Sequence, residues 1–147
     1  MNNLSSRPIK ILLVEDSFSD IKLISKALEE VSVHHCLEVV SSGTAAIAFL
    51  LKQGKYCNCF RPDIILLDMH LPEKNGIAVL REIKSNPQIS NIPVIMLTAS
   101  TNNRDIAECY QQEANCYLVK PNNLQEFKET IKSLTDFWLQ IVKLPVA

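Results

Sequence analysis

The chain has 147 residues, a net charge of -1, 47% hydrophobic residues and 21% charged ones. That is the size and balance of one ordinary globular domain, and the charge offers no electrostatic footprint for nucleic acid or an anionic membrane. No apolar run approaches the roughly 20 residues needed to cross a bilayer. The N-terminus lacks the apolar core of a signal peptide, and the five cysteines (Cys36, Cys57, Cys59, Cys109 and Cys116) form no paired pattern, so reduced thiols and a cytoplasmic location are expected.

Residues 1–8 are polar and expected to be flexible, leaving 9–147 as a single domain. Ile9–Val14 (IKILLV) reads as a strand that ends at once in Glu15-Asp16. Ser17 to Asp20 is rich in helix-start residues, and Ile21, Leu23, Ile24, Ala27, Leu28 and Val31 then recur near helical spacing. Residues 36–40 read as a second strand. Ser41-Ser42-Gly43-Thr44 turns into a helix over 44–53, with Gly54 as its C-cap. Residues 55–61 are a loop, and His34-His35 reads as a polar turn.

Ile64–Leu67 is a short continuous apolar run after Pro62-Asp63. Its length favours a strand covered on both faces, as in a parallel sheet. It stops on Asp68, and Asn75-Gly76 closes the turn that follows. A third helix buries Ile77, Val79, Leu80 and Ile83 and stops at Asn86-Pro87. Residues 92–97 form a fourth strand ending at Thr98, and 102–113 a polar helix with Ile106, Ala107 and Tyr110 facing in. Residues 115–119 form a fifth strand ending in Lys120-Pro121. The last helix starts near Leu124 and carries Phe127, Ile131, Leu134, Trp138 and Ile141 on one stripe. Strands alternating with helices imply an α/β, doubly wound (βα)5 architecture with a parallel sheet and helices on both faces.

In an open parallel sheet, ligands bind just beyond the carboxyl ends of the strands. Four strand ends here carry Glu15-Asp16, Asp68, Thr98 and Lys120. Taken singly, Asp68 reads equally as a loop or cap residue, Thr98 as a β-favoured residue and Lys120 as a surface lysine. On one edge they bring three carboxylates, a hydroxyl and an ammonium together. Like charges so close repel, and a hard divalent cation is the natural compensation. Mg²⁺ takes a few carboxylates, keeps waters and completes its shell with phosphate oxygens.

The segments ILLVEDS, IILLDMHLPEKNG, VIMLTAS and YLVKP, in that order on successive strand ends, resemble the receiver domain of two-component response regulators over about residues 9–135. The resemblance implies a flavodoxin-like fold with strand order 2-1-3-4-5, as in chemotaxis members of the family. It implies Asp68 as phosphoacceptor. It implies Mg²⁺ held by Asp16 and Asp68, by the backbone carbonyl of His70, and by Glu15 through water. Lys120 and Thr98 would contact the phosphoryl group, Tyr117 would act as a switch residue, and the Lys120-Pro121 peptide would be cis. The donor would be a phosphohistidine on a partner kinase. EDSFSDIKLI, the 55–61 insertion, NCYLVKP and FWLQIVKLP look more narrowly like the small response regulators partnered with cyanobacterial phytochromes, which implies a phytochrome-type histidine kinase.

The chain stops soon after its fifth helix, so a single-domain regulator is expected, signalling through a changed contact. Phe137 and Trp138 fall on different faces of that helix, which makes them candidates for a homodimer interface through helix 4, strand 5 and helix 5. Cys57-x-Cys59 has no further Cys or His at zinc-finger spacing and reads as ordinary loop thiols. Two other functions compete with the switch. One is a phosphorylation-independent adaptor on a receiver scaffold. The other is a Mg²⁺-dependent phosphatase with an aspartyl nucleophile, although Asp68-Met69-His70 lacks a second aspartate two residues on.

Overall fold

The computed structural model describes residues 7–30, 34–121 and 123–137. Five strands, β1 (Ile9–Val14), β2 (His35–Val40), β3 (Ile64–Leu67), β4 (Val94–Thr98) and β5 (Cys116–Val119), alternate with five helices. These are α1 (Phe18–Glu29), α2 (Gly43–Leu50), α3 (Gly76–Ser85), α4 (Asn103–Gln111) and α5 (Leu124–Thr135). The strands form one sheet in the order β2-β1-β3-β4-β5, with every pairing parallel. The expected fold class and strand order are both present.

The two sheet faces follow from strand alternation. Leu12, Val14, Ile65, Leu67, Val94 and Met96 join the core beneath α2 and α3. Ile11, Leu13, Ile64, Leu66, Ile95 and Leu97 join the opposite core, beneath α1 and α5. All four residues of β3 are buried, because it is the central strand with helices above and below.

Each helix starts on a Ser or Asn whose side chain accepts from an amide two or three residues on. Ser17, Ser42, Asn75, Asn102 and Asn123 do this for α1 to α5 in turn. These caps satisfy otherwise orphaned helix amides and fix the short loops at the carboxyl edge of the sheet. Gly76 tightens the loop after β3. A Cβ there would lie 2.3 Å from the Asp68 carbonyl oxygen and 2.6 Å from the Met69 Cα. Only glycine lets α3 begin that close to the strand end.

Several expectations are corrected in detail. The second helix ends earlier than residue 53, at Leu50, and Lys52 rather than Gly54 takes the left-handed position after it, with φ of 56°. The chain turns there so that Tyr56 and Phe60 pack on the buried Phe49 ring, at centroid distances of 5.5 and 5.7 Å. His35 begins β2 instead of closing a turn. In α4 the inward residue is Cys109, fully buried, while Ala107 is exposed and Tyr110 is 49% exposed. Cys109 behaves as a small apolar side chain under a thin helix, and burial, with Asp105 and Glu108 nearby, pushes its thiol up to about 11. Tyr110 instead reaches over the outer side of β5, where its hydroxyl accepts from the Tyr117 N–H at 3.1 Å. Trp138 and Ile141 fall outside the described residues, as do residues 1–6 and Val31.

Candidate functional site

The site lies where β1, β3, β4 and β5 end. The Asp68 N–H donates to the Val14 carbonyl at 3.0 Å, so the end of β3 is tied beside the end of β1. That bond places Asp68 next to Glu15-Asp16. Ligand oxygens of Glu15, Asp16 and Asp68 lie within 4.8 Å of one another. Glu15 is 1% exposed and Asp68 6%, whereas Asp16 is exposed. One Asp68 oxygen, Oδ1, accepts from the Met69 N–H at 2.9 Å.

Lys120 crosses from the end of β5 into this cluster. Its ammonium donates to Glu15 Oε1 at 2.5 Å and to Asp20 Oδ2 at 2.7 Å. It stands 3.6 Å from Asp68 Oδ1, with its side chain only 9% exposed. Burial acts against its charge, but the hydrogen bonds to Asp20 and Glu15 and the charge of Asp68 raise its pKa on balance. The Glu15 pKa is raised as well, which for a carboxyl favours the neutral form. Burial pushes its carboxyl up to about 7; the Lys120 hydrogen bond opposes this and the Asp68 charge adds to it. A buried carboxyl held partly protonated beside two other carboxylates is a site short of positive charge. The donor set, oxygen-only and with one exposed carboxylate, fits a hard cation such as Mg²⁺.

Thr98 is fully buried at the end of β4, with its Oγ1 3.5 Å from the Ser100 N–H that donates to it. Tyr117 is half-buried against the core on the α2, α3 and α4 side, and its hydroxyl donates to the Ser100 carbonyl at 2.8 Å. Residue 100 therefore links the two expected switch residues. The His70 side chain is exposed. The peptide bond between Lys120 and Pro121 is trans, not cis as expected, since no described peptide is cis. Trans is the ordinary state of an X-Pro bond, and the backbone here already anchors Lys120 through its N–H to the Thr98 carbonyl at 2.8 Å.

Asp20 and Ser100 join the site without a sequence-based expectation for either. Asp20 carried a visible signal, the Ser17-x-x-Asp20 helix start, which read as a cap alone.

Comparison with known proteins agrees with this geometry. Residues 11–132 match the response regulator receiver domain. The chain is 44% identical to the response regulator Rcp1 of Synechocystis sp. (strain ATCC 27184 / PCC 6803 / Kazusa) over 147 residues, covering 100% of both chains. Two solved structures share the fold closely. The phosphorylated cyanobacterial phytochrome response regulator RcpA superposes with a TM-score of 0.92 at 44% identity, over 95% of this chain and 100% of that one. The Mn(2+)-bound form of Rcp1 superposes at 0.90 and 45% identity, again over 95% and 100%. With the four motifs, the acidic cluster and the strand order in agreement, the chain belongs to the response regulator receiver domain family.

Proposed function

We propose that this protein is a phosphorylation-controlled signalling switch whose acceptor is Asp68. The observation that carries the reading is the Asp68 carboxylate, buried at the end of β3, clustered with Glu15 and Asp16 and faced by the Lys120 ammonium at 3.6 Å. An Asp68 oxygen attacks phosphorus, the bond from phosphorus to the donor's imidazole nitrogen breaks, and the nitrogen leaves with the electron pair. The product is an acyl phosphate. Asp16, Asp68 and the His70 carbonyl, with Glu15 through water, would hold Mg²⁺, which would supply positive charge for the transferring oxygens. Lys120 hydrogen-bonds a second oxygen and Thr98 a third.

The donor is a phosphohistidine on a histidine kinase, and the likeness to Rcp1 and RcpA supports a kinase of the phytochrome type. The protein acts in the cytoplasm, binds no nucleic acid, and is not an enzyme beyond accepting and slowly hydrolysing its own phosphoryl group. On phosphorylation Thr98 moves toward the phosphoryl group and Tyr117 turns inward. Swinging an equilibrium from about 1:99 to about 99:1 takes about 5.5 kcal/mol of preference. One charge-assisted bond from Thr98 gives about 1.5–3 kcal/mol, so the Lys120 and metal contacts must also differ between the two states.

The output is a changed contact through α4, β5 and α5, with a homodimer as its form. Val119, Tyr110 and Phe137 on that side are large exposed apolar residues. A groove of about 550 Å³ there is lined in part by Leu118, Pro121, Leu134 and Phe137. Trp138 is the other candidate.

Intact mass after incubation with acetyl phosphate and Mg²⁺, with light scattering in parallel, tests the reading. A Mg²⁺-dependent adduct of roughly 80 Da, absent from Asp68→Asn, is expected. No adduct from acetyl phosphate or from a phytochrome-type kinase would favour the adaptor reading, and multiple turnover of a small phosphate ester would favour the phosphatase.

A further inference from the structure

Asp20 belongs to none of the four motifs and lies outside the acidic metal cluster. It sits in the first turn of α1, where its N–H donates to the Ser17 side chain at 3.3 Å. Ser-x-x-Asp at a helix start is half of a reciprocal capping arrangement, in which the acid turns back to the amide of the capping residue. That second half is diverted here. The Ser17 N–H donates to Glu15 Oε2 at 3.2 Å. The Asp20 carboxylate is thereby released, and it reaches Lys120 Nζ at 2.7 Å, across 100 residues of sequence.

A lysine ammonium has three donors. Glu15 and Asp20 take two of them. The third carboxylate around it, Asp68, is 3.6 Å away, beyond hydrogen-bond reach. An oxygen on a phosphoryl group attached to Asp68 would fill that gap without drawing the lysine from its other partners. Glu15 is shared with the metal cluster, and a cation there competes with Lys120 for its charge. Asp20 is not shared.

We propose that Asp20 is the positioning residue for Lys120, holding the ammonium so that its remaining N–H is aimed at the phosphoryl oxygen on Asp68, and doing so independently of the metal. The inference rests on Asp68 being the phosphoacceptor.

The test compares wild type, Asp20→Ala, Asp20→Asn, Lys120→Ala and the Asp20→Ala/Lys120→Ala double variant in phosphorylation by acetyl phosphate. Asp20→Ala should be slower by about ten- to a hundredfold, the upper end being the scale for a group misplaced by about 1 Å. Its Mg²⁺ affinity should stay within about twofold of wild type, because the metal's own ligands are intact. Asp20→Asn, which keeps an acceptor oxygen, should recover part of the rate. The double variant should be no slower than Lys120→Ala, because a residue acting through Lys120 has nothing left to position. An unchanged or faster rate in Asp20→Ala, or losses that add in the double variant, would overturn the proposal. If wild type itself takes up no phosphoryl group, the phosphoacceptor reading fails separately. Asp20 is then scored on Lys120 alone, by amine labelling at alkaline pH. Faster labelling of Lys120 in Asp20→Ala supports the hold, and unchanged labelling overturns it.

Discussion

The two sides of the carboxyl edge are built differently. On the β3–α3 side, all four strand residues are buried, and α3 buries Gly76, Val79, Leu80 and Ile83. On the α4–β5 side, α4 buries only Cys109, and no residue of β5 is fully buried. Asp68, the proposed acceptor, therefore stands on the densely packed side, and Tyr117 stands on the lightly held one, next to Thr98 at the fully buried end of β4. A nucleophile needs fixed geometry, whereas a readout element needs two arrangements of similar energy. The contrast teaches that one sheet edge can serve both needs if packing density changes across it.

The comparison breaks most completely at Asp68. Asp68→Asn should abolish the adduct while leaving thermal stability equal or higher, because it removes one like charge from the cluster. A loss of stability, measured by urea unfolding, would mean the carboxylate is needed for packing as well as chemistry. Gly76→Ala comes next. Its methyl would meet backbone at 2.3 Å, and overpacking of this kind costs about 1–3 kcal/mol. Tyr110→Ala, on the other side, should cost under about 1 kcal/mol. Equal losses in the same unfolding assay would erase the contrast.

Protonation sharpens the comparison on the Asp68 side. Burial pushes Glu15 up to about 7 in the metal-free protein. The cation needs the ionised carboxylate, so binding releases a proton and weakens as pH falls through that value. Mg²⁺ affinity by calorimetry should rise by about tenfold from about pH 6 to about pH 8, with proton release seen in buffers of different ionisation enthalpy. A flat profile would place the ionised form of Glu15 across the whole range. A further effect, of stability but not of chemistry, belongs to Tyr117→Phe. It removes the hydroxyl that donates to the Ser100 carbonyl and should cost about 1 kcal/mol. It should also leave the phosphorylation rate unchanged while altering any dimer response.

The same contrast explains what was legible in the sequence. Ile64–Leu67 and the helix after Gly76 carry strong patterns because heavy burial imposes them, and the strand-end residues Glu15, Asp16, Asp68, Thr98 and Lys120 follow from that frame. Where packing is thin the pattern fades. The pattern of α4 puts Ile106, Ala107 and Tyr110 inward, but a tyrosine can satisfy both its ring and its hydroxyl at a surface, and Cys109, the residue that is buried, is small enough to carry little apolar signal. Asp20 was hidden for another reason. Its local role as a helix-start residue is complete in sequence terms, and its partner lies 100 residues away. Lys52 in the left-handed region was hidden because the aromatic packing of Phe49 with Tyr56 and Phe60 decides it.

The bond from the Tyr117 N–H to the Tyr110 hydroxyl bears on how copies of this chain can meet. β5 is one of the two outer strands of the sheet, and an outer strand is a template on which another strand can add. The Lys120 N–H points to β4, while that of Tyr117, three residues earlier, points away and is already engaged by the phenol. A second sheet cannot extend this one there without displacing Tyr110. Association on this side is thereby steered toward side-chain contacts, which can be made and released, and away from continuous strand addition of the kind that leads to aggregation.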